Sequence, residues 1–246
     1  MEIAVLAAAG CATALATGIG AIPVSLLGRR ADDWRPALWG LTIGLMTVAS
    51  VLGLLAPALD EGAALTVAFG SAAGVVFLLV SRHLLVHRDI HVGGLSGAGV
   101  QRSVLVFAIL AVHSLPEGLA IGTAFASETE GLGLFVILAI ALQNVPEGTA
   151  TAIPMEAAGF NRAQQFWAAV ATSAPQPVGA LVAYVLVQQV AALLSFSFAF
   201  AAGAMLALVF VELVPQALRS GHLSRAAAGG LLGAGVMVLL AATLGV

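Results

Sequence analysis

About every 30 residues, from end to end, the chain offers a run of roughly 20 largely apolar residues, the length a helix needs to cross a hydrocarbon core. The segments between these runs are short, which leaves no stretch for a soluble domain. Composition agrees, since 61% of the 246 residues are apolar and only 9% are charged, far from the balance of a soluble globule. The runs are apolar on every side and lack the polar alternation of barrel strands, so they read as helices. The sequence therefore predicts an all-α, polytopic membrane protein, a single transmembrane domain over 1–246. Its eight spans fall at about 3–27, 37–58, 63–86, 103–126, 132–156, 164–190, 193–218 and 226–245. Met1-Glu2-Ile3 carries no basic cluster before the first run, so a first span rather than a cleaved leader is expected.

All nine basic residues are arginines, and every one falls at an odd-to-even connection. Arg29, Arg30 and Arg35 follow span one, Arg82, Arg88 and Arg102 surround the connection after span three, Arg162 follows span five, and Arg219 and Arg225 follow span seven. The other connections carry Asp60, Glu61, Glu128 and Glu130 and no arginine. The positive-inside rule then makes the arginine-bearing face cytoplasmic and places both termini outside. A net charge of -3 offers no basic surface for nucleic acid. Cys11 is the sole cysteine, so one chain can form neither a disulfide nor a thiolate cluster. Gly70 with Gly74 and Gly229 with Gly233 stand at helix-neighbour spacing and are read as close-packing sites without further function.

Acidic side chains inside a span are costly and turn toward the bundle interior. Three lie well inside: Glu117 in span four, Glu147 in span five and Glu212 in the inner half of span seven. The first two belong to one motif, written His113-Ser114-Leu115-Pro116-Glu117-Gly118 and Gln143-Asn144-Val145-Pro146-Glu147-Gly148. The four-residue spacing stacks His113 over Glu117 and Gln143 over Glu147 on one face of each helix. Pro116 and Pro146 lack an N–H and free the carbonyls of Val112 and Leu142, which is expected to open both helices locally. Counted from the loop near Ser127 to Gly131, the four polar residues lie roughly 15–24 Å deep at 1.5 Å per residue, close to the midplane. Because spans four and five are antiparallel, a motif repeated in sequence is inverted in the membrane, as in secondary transporters built from inverted repeats.

One imidazole, two carboxylates and an amide oxygen suit a divalent metal such as Zn²⁺, and also Fe²⁺ or Mn²⁺. The bland alternative is a pair of buried hydrogen-bonded contacts that only fix helix packing. Pro175 and Pro177 bracket Gln176 and should break span six near mid-depth, leaving Gln176 as a neutral ligand or a helix-to-helix hydrogen-bond donor. His83, His87 and His91 stand four apart at the inner end of span three and its connection, either as a weak metal relay or as incidental interfacial histidines. His222 and Cys11 are assigned no role.

The segments HSLPEG and QNVPEG resemble the paired signatures of the ZIP (Zrt/Irt-like) family of divalent metal transporters, nearest to its bacterial GufA-like branch, and the resemblance extends over most of the chain. Gly203-Ala204-Met205 followed by Glu212-Leu213-Val214-Pro215 is similar to the family's seventh helix. The resemblance implies uptake of Zn²⁺ or related ions (Fe²⁺, Mn²⁺, Cd²⁺) into the cytoplasm of a bacterial cell, through a mononuclear or binuclear site on helices four, five and six. His113, Glu117, Gln143 and Glu147 would form the principal site, with Ser114, Asn144 and Gln176 at a secondary one. Glu212 and the three histidines after span three would serve passage or release. Ser114, Asn144 and Gln176 stand where relatives often carry Asn, Asp and Glu, so the second position loses carboxylates. The metal is cargo, no resident cofactor is expected, and the partners are the ion, the lipid bilayer and, in one arrangement, a second copy of the chain.

Two rival functions use the same residues: a proton or organic-cation carrier relying on Glu117 and Glu147 alone, and an intramembrane metalloenzyme. The second lacks a further histidine or aspartate at that depth to hold a catalytic metal beside a separate base. The topology has its own test. Cysteine introduced near Glu128 should react with an impermeant thiol reagent from outside and cysteine near Arg162 should not; labelling of both from one side contradicts the eight-span arrangement.

Overall fold

In a computed structural model the chain is described over residues 2–86 and 98–246, and every regular element within them is helical. Eight of these described helices are long and apolar enough to cross a membrane: α1 (Glu2–Leu27), α2 (Arg30–Glu61), α3 (Ala64–Leu85), α4 (Ser103–Ala126), α5 (Leu132–Ala157), α6 (Arg162–Gln189), α7 (Leu193–Arg219) and α8 (Leu223–Leu244). The second helix begins earlier than the sequence suggests. A 3₁₀ segment, Gly28–Trp34, feeds directly into it, and Pro36, free of any N–H obligation, occupies its first turn. Arg35 fixes this entrance by pairing with Asp32 and lying over the Trp39 ring, 5.7 Å from its centre. α6 starts from a capping box in which the Asn161 side chain accepts from the Gln164 N–H and the Gln164 side chain accepts from the Asn161 N–H, each at 2.9 Å.

The prolines act differently from one another. α4 and α5 run unbroken through Pro116 and Pro146, contrary to the expected local opening, because a lone proline deletes one hydrogen bond while the turns on either side remain intact. α6 is interrupted as expected: one segment ends at Thr172, and Pro175 opens the next as its first residue. Pro57 and Pro215 produce a third outcome. Neither can bond the carbonyl four residues back, and each helix recovers with a π-turn, Val51–Leu55 in α2 and Val209–Leu213 in α7. There the N–H groups of Ala56 and Val214 reach back five residues to the Val51 and Val209 carbonyls.

The helices pack in four long pairs: α1 with α5, α4 with α6, α2 with α8, and α3 with α7. Each pair meets through glycine. A methyl on Gly20 would strike the Val145 carbonyl and one on Gly148 the Thr17 carbonyl; Gly118 and Gly122 press against Gln176 and Ala180; Gly40 and Gly44 against Ala226 and Gly230; Gly74 and Gly203 against Phe200 and Ser71. Backbones this close gain van der Waals contact that lipid cannot match. Exchanging α1 with α6, α2 with α7, α3 with α8 and α4 with α5 maps each pair onto another. Each exchange joins an odd helix to an even one, so the halves run in opposite senses through the membrane, an inverted repeat. The two π-turns, in the segments Val51-Leu52-Gly53-Leu54-Leu55-Ala56-Pro57 and Val209-Phe210-Val211-Glu212-Leu213-Val214-Pro215, are related by the same exchange.

Ala substitutions at two glycines separate contact from propensity. Gly44→Ala puts a methyl group on the Gly230 carbonyl and should cost roughly 1–3 kcal/mol of stability as overpacking. Gly235, where an added methyl meets nothing within 4 Å, should tolerate Ala or gain from it. Equal thermal melting of the two variants would contradict glycine-mediated pairing.

Candidate metal centre

Because α4 and α5 are antiparallel and each places its motif at the same depth, four polar side chains meet between them. His113, Glu117, Gln143 and Glu147 are all buried, the glutamates to within 6% of full burial. Ligand atoms of His113, Glu117 and Glu147 lie within 4.8 Å of one another. His113 Nδ1 lies 3.2 Å from the Ile109 carbonyl. A carbonyl only accepts, so Nδ1 carries the proton of the neutral ring and Nε2 presents its lone pair. That Nε2 has no hydrogen-bond partner; nor do Gln143 Oε1 and Glu147 Oε1. His113 Nε2 and Glu147 Oε1 stand 4.0 Å apart. A tetrahedral ion with bonds of about 2.1 Å holds its donors about 3.4 Å apart, so the two need to close by only about 0.6 Å.

Glu117 is oriented rather than open. Its Oε1 accepts from Gln143 Nε2 at 2.6 Å and its Oε2 from Gln176 Nε2 at 2.7 Å. The first bond turns the Gln143 amide so that its oxygen is the end left over. Gln176, which the sequence left between ligand and hydrogen-bond donor, appears as a donor. Its amide also exchanges bonds with Asn144, at 3.0 Å and 3.2 Å, and Asn144 in turn donates to the Thr13 carbonyl of α1 at 2.7 Å. The Ser114 hydroxyl donates to the Leu110 carbonyl of its own helix. The three candidates for a secondary position are thus engaged in helix contacts: Ser114 within α4, Asn144 reaching α1 and α6, and Gln176 reaching from α6 to α4 and α5.

Below the centre a cavity of about 290 Å³ opens toward the arginine-bearing face, bounded by α2, α4, α5 and α7. His113 and Glu147 line its deep end, and Arg35, Glu212 and Gln216 line the remainder. Toward the loop over residues 127–131, Ile121, Phe135, Ala139 and Phe198 belong to one buried apolar cluster. Glu212 is bonded by Arg82 at 2.9 Å and approached by Gln216 Nε2 at 3.4 Å. His83 is exposed on α3, away from the buried centre; His87 and His91 lie outside the described residues. In the sequence Arg82 marks only topology, and Thr13 carries no signal of its contact with Asn144. No local pattern could have paired Arg82 with a residue 130 positions away.

The profile of the ZIP zinc transporters matches residues 91–241. The chain is 34% identical over 236 residues to the zinc transporter GufA of Myxococcus xanthus, covering 92% of each chain. It is 34% identical over 249 residues to the zinc transporter ZIPB of Bordetella bronchiseptica, covering 96% of this chain and 80% of that one. A match of 32% identity to an Arabidopsis thaliana protein covers 88% of this chain but only 35% of the plant protein. With more than half of its length inside the family profile and a relative matched nearly end to end, this multi-pass cell-membrane protein belongs to the ZIP zinc transporter family, a family of transporters and not of enzymes.

Proposed function

We propose that the chain moves divalent metal cations, Zn²⁺ foremost and Fe²⁺, Mn²⁺ or Cd²⁺ by the same chemistry, into the cytoplasm through a site formed by His113, Glu117, Gln143 and Glu147. One observation carries the reading. Two buried carboxylates, with no arginine bonded to either among the described residues, share their site with three unpartnered buried atoms: His113 Nε2, Gln143 Oε1 and Glu147 Oε1. An unpaired buried charge is strongly destabilising, and an unsatisfied buried acceptor adds to the cost. A single dication answers both, balancing the two carboxylates and satisfying the imidazole and amide lone pairs. Two carboxylates with neutral donors also hold an ion loosely enough for release, which transport requires.

The neutral amides support one ion rather than two. Asn144 and Gln176 are spent on each other, on Glu117 and on Thr13. A second dication would leave four positive charges facing two negative ones at low dielectric. The cavity from His113 to Gln216 gives the ion a route toward the arginine-bearing face, which the positive-inside rule makes cytoplasmic.

His113→Ala and Glu147→Ala should each bring metal uptake to near background with normal membrane levels; full uptake by either contradicts the assignment. Metal displaces protons from its donors, so uptake should weaken as the outer pH falls, and uptake that does not change with outer pH speaks against titratable donors at the site. Asn144→Asp with Gln176→Glu should raise the bound metal count above that of the unaltered chain and slow release. Two ions per unaltered chain would show that amides suffice.

A further inference from the structure

Glu212 is the third acid well inside a span, and the central site does not use it. It sits on the π-turn of α7 with its side chain on the wall of the cavity through which, on the reading above, the ion leaves. The inverted repeat gives it a counterpart. The same place in the π-turn of α2 is Leu54, which is 2% exposed and packed in the apolar cluster. One half of the bundle thus seals with leucine where the other carries a carboxylate, and the carboxylate side is the open one.

An uncompensated carboxylate on that wall would be a second stop for a dication, holding what the central site has just released. The structure instead gives Glu212 a cation of its own: Arg82 Nε donates to Oε2 at 2.9 Å, with the arginine side chain 41% and the glutamate side chain 22% exposed. Arg35, also on the cavity wall, is committed to Asp32 and to the Trp39 ring. The Arg82 bond is not needed to join α3 to α7, whose backbones already meet at Gly70, Gly74 and Gly203, and a part-exposed ion pair adds little to stability. We propose that Arg82 is a tethered competitor: it occupies Glu212 between passages, swings toward water when an ion arrives, and re-pairs to expel it. Glu212 is then a shallow release step, weak enough to leave, and Arg82 is a positioning residue that acts through it. The inference rests on the transport reading above.

The test is exchange of labelled Zn²⁺ in membrane vesicles of known orientation, with unlabelled Zn²⁺ titrated on the arginine-bearing side. Arg82→Gln bares the carboxylate and should strengthen inhibition from that side by up to about fivefold, the upper limit for one part-exposed ion pair. Glu212→Gln leaves Arg82 alone at the mouth and should weaken it. Arg82→Lys should behave as the unaltered chain, and Arg82→Gln with Glu212→Gln should cancel the strengthening. A pair that only holds helices together moves both single variants in the same direction or neither, and that result overturns the proposal. Full exchange in Glu147→Ala overturns the transport reading itself, a result separable from unchanged inhibition in an Arg82→Gln protein that still exchanges metal.

Discussion

Glu117 and Glu147 place two carboxylates in the interior of an apolar bundle, where taking a charge out of water is among the largest penalties a protein can carry. The side chains around them respond to that penalty. Amide N–H groups of Gln143 and Gln176 bond both oxygens of Glu117, and the Ile109 carbonyl turns the His113 lone pair inward. Among the described residues, the arginine ion pairs are to Asp32 and Glu212, and none is to Glu117 or Glu147. On the proposed reading, the transported cation supplies the positive charge for both carboxylates.

Holding such a centre requires neighbours that do not shift. The bonds from Asn144 to the Thr13 carbonyl, from Thr149 to the Gly20 carbonyl and between Thr17 and Ser173 join α1, α5 and α6 around the site. Gln176 adds α4 through Glu117. These bonds form because Gly20 and Gly148 let the α1 and α5 backbones touch, and Gly118 and Gly122 do the same for α4 and α6. Contacts from this set of helices to α2, α3, α7 and α8 are chiefly apolar, with the Thr123–Ser197 bond at 2.7 Å as a polar exception. Polar bonding is therefore concentrated where the charge is, and the cavity lies along the smoother seam between the two sets.

Much of this was legible in the sequence because the membrane leaves few choices. Apolar run length fixes the spans, and Glu117 and Glu147 announce themselves by being where charge is expensive. Proline and duplication marked HSLPEG and QNVPEG, and counting residues from the Ser127 loop brought them to one depth. Rotamer-level choices were not legible. Whether Gln176 offers its oxygen to an ion or its N–H to Glu117 depends on how α6 restarts after Thr172, which is settled by packing of Gly179 against α4. The fate of each proline was hidden for a similar reason: Pro116 and Pro146 are absorbed without a break, while Pro57 and Pro215 are answered by π-turns. The repeated V-x-x-x-L-x-P pattern could have flagged the last two. The Arg82–Glu212 bond depends on the facing of α3 and α7, which no periodicity within either helix specifies.

X-ray absorption at the zinc edge of the purified, zinc-loaded chain reads the donors around the ion directly. The account predicts one Zn²⁺ per chain with about four nitrogen and oxygen donors near 2.0 Å, one of them an imidazole whose signature disappears in His113→Ala. A sulfur donor, or an imidazole signal that survives loss of His113, would contradict it.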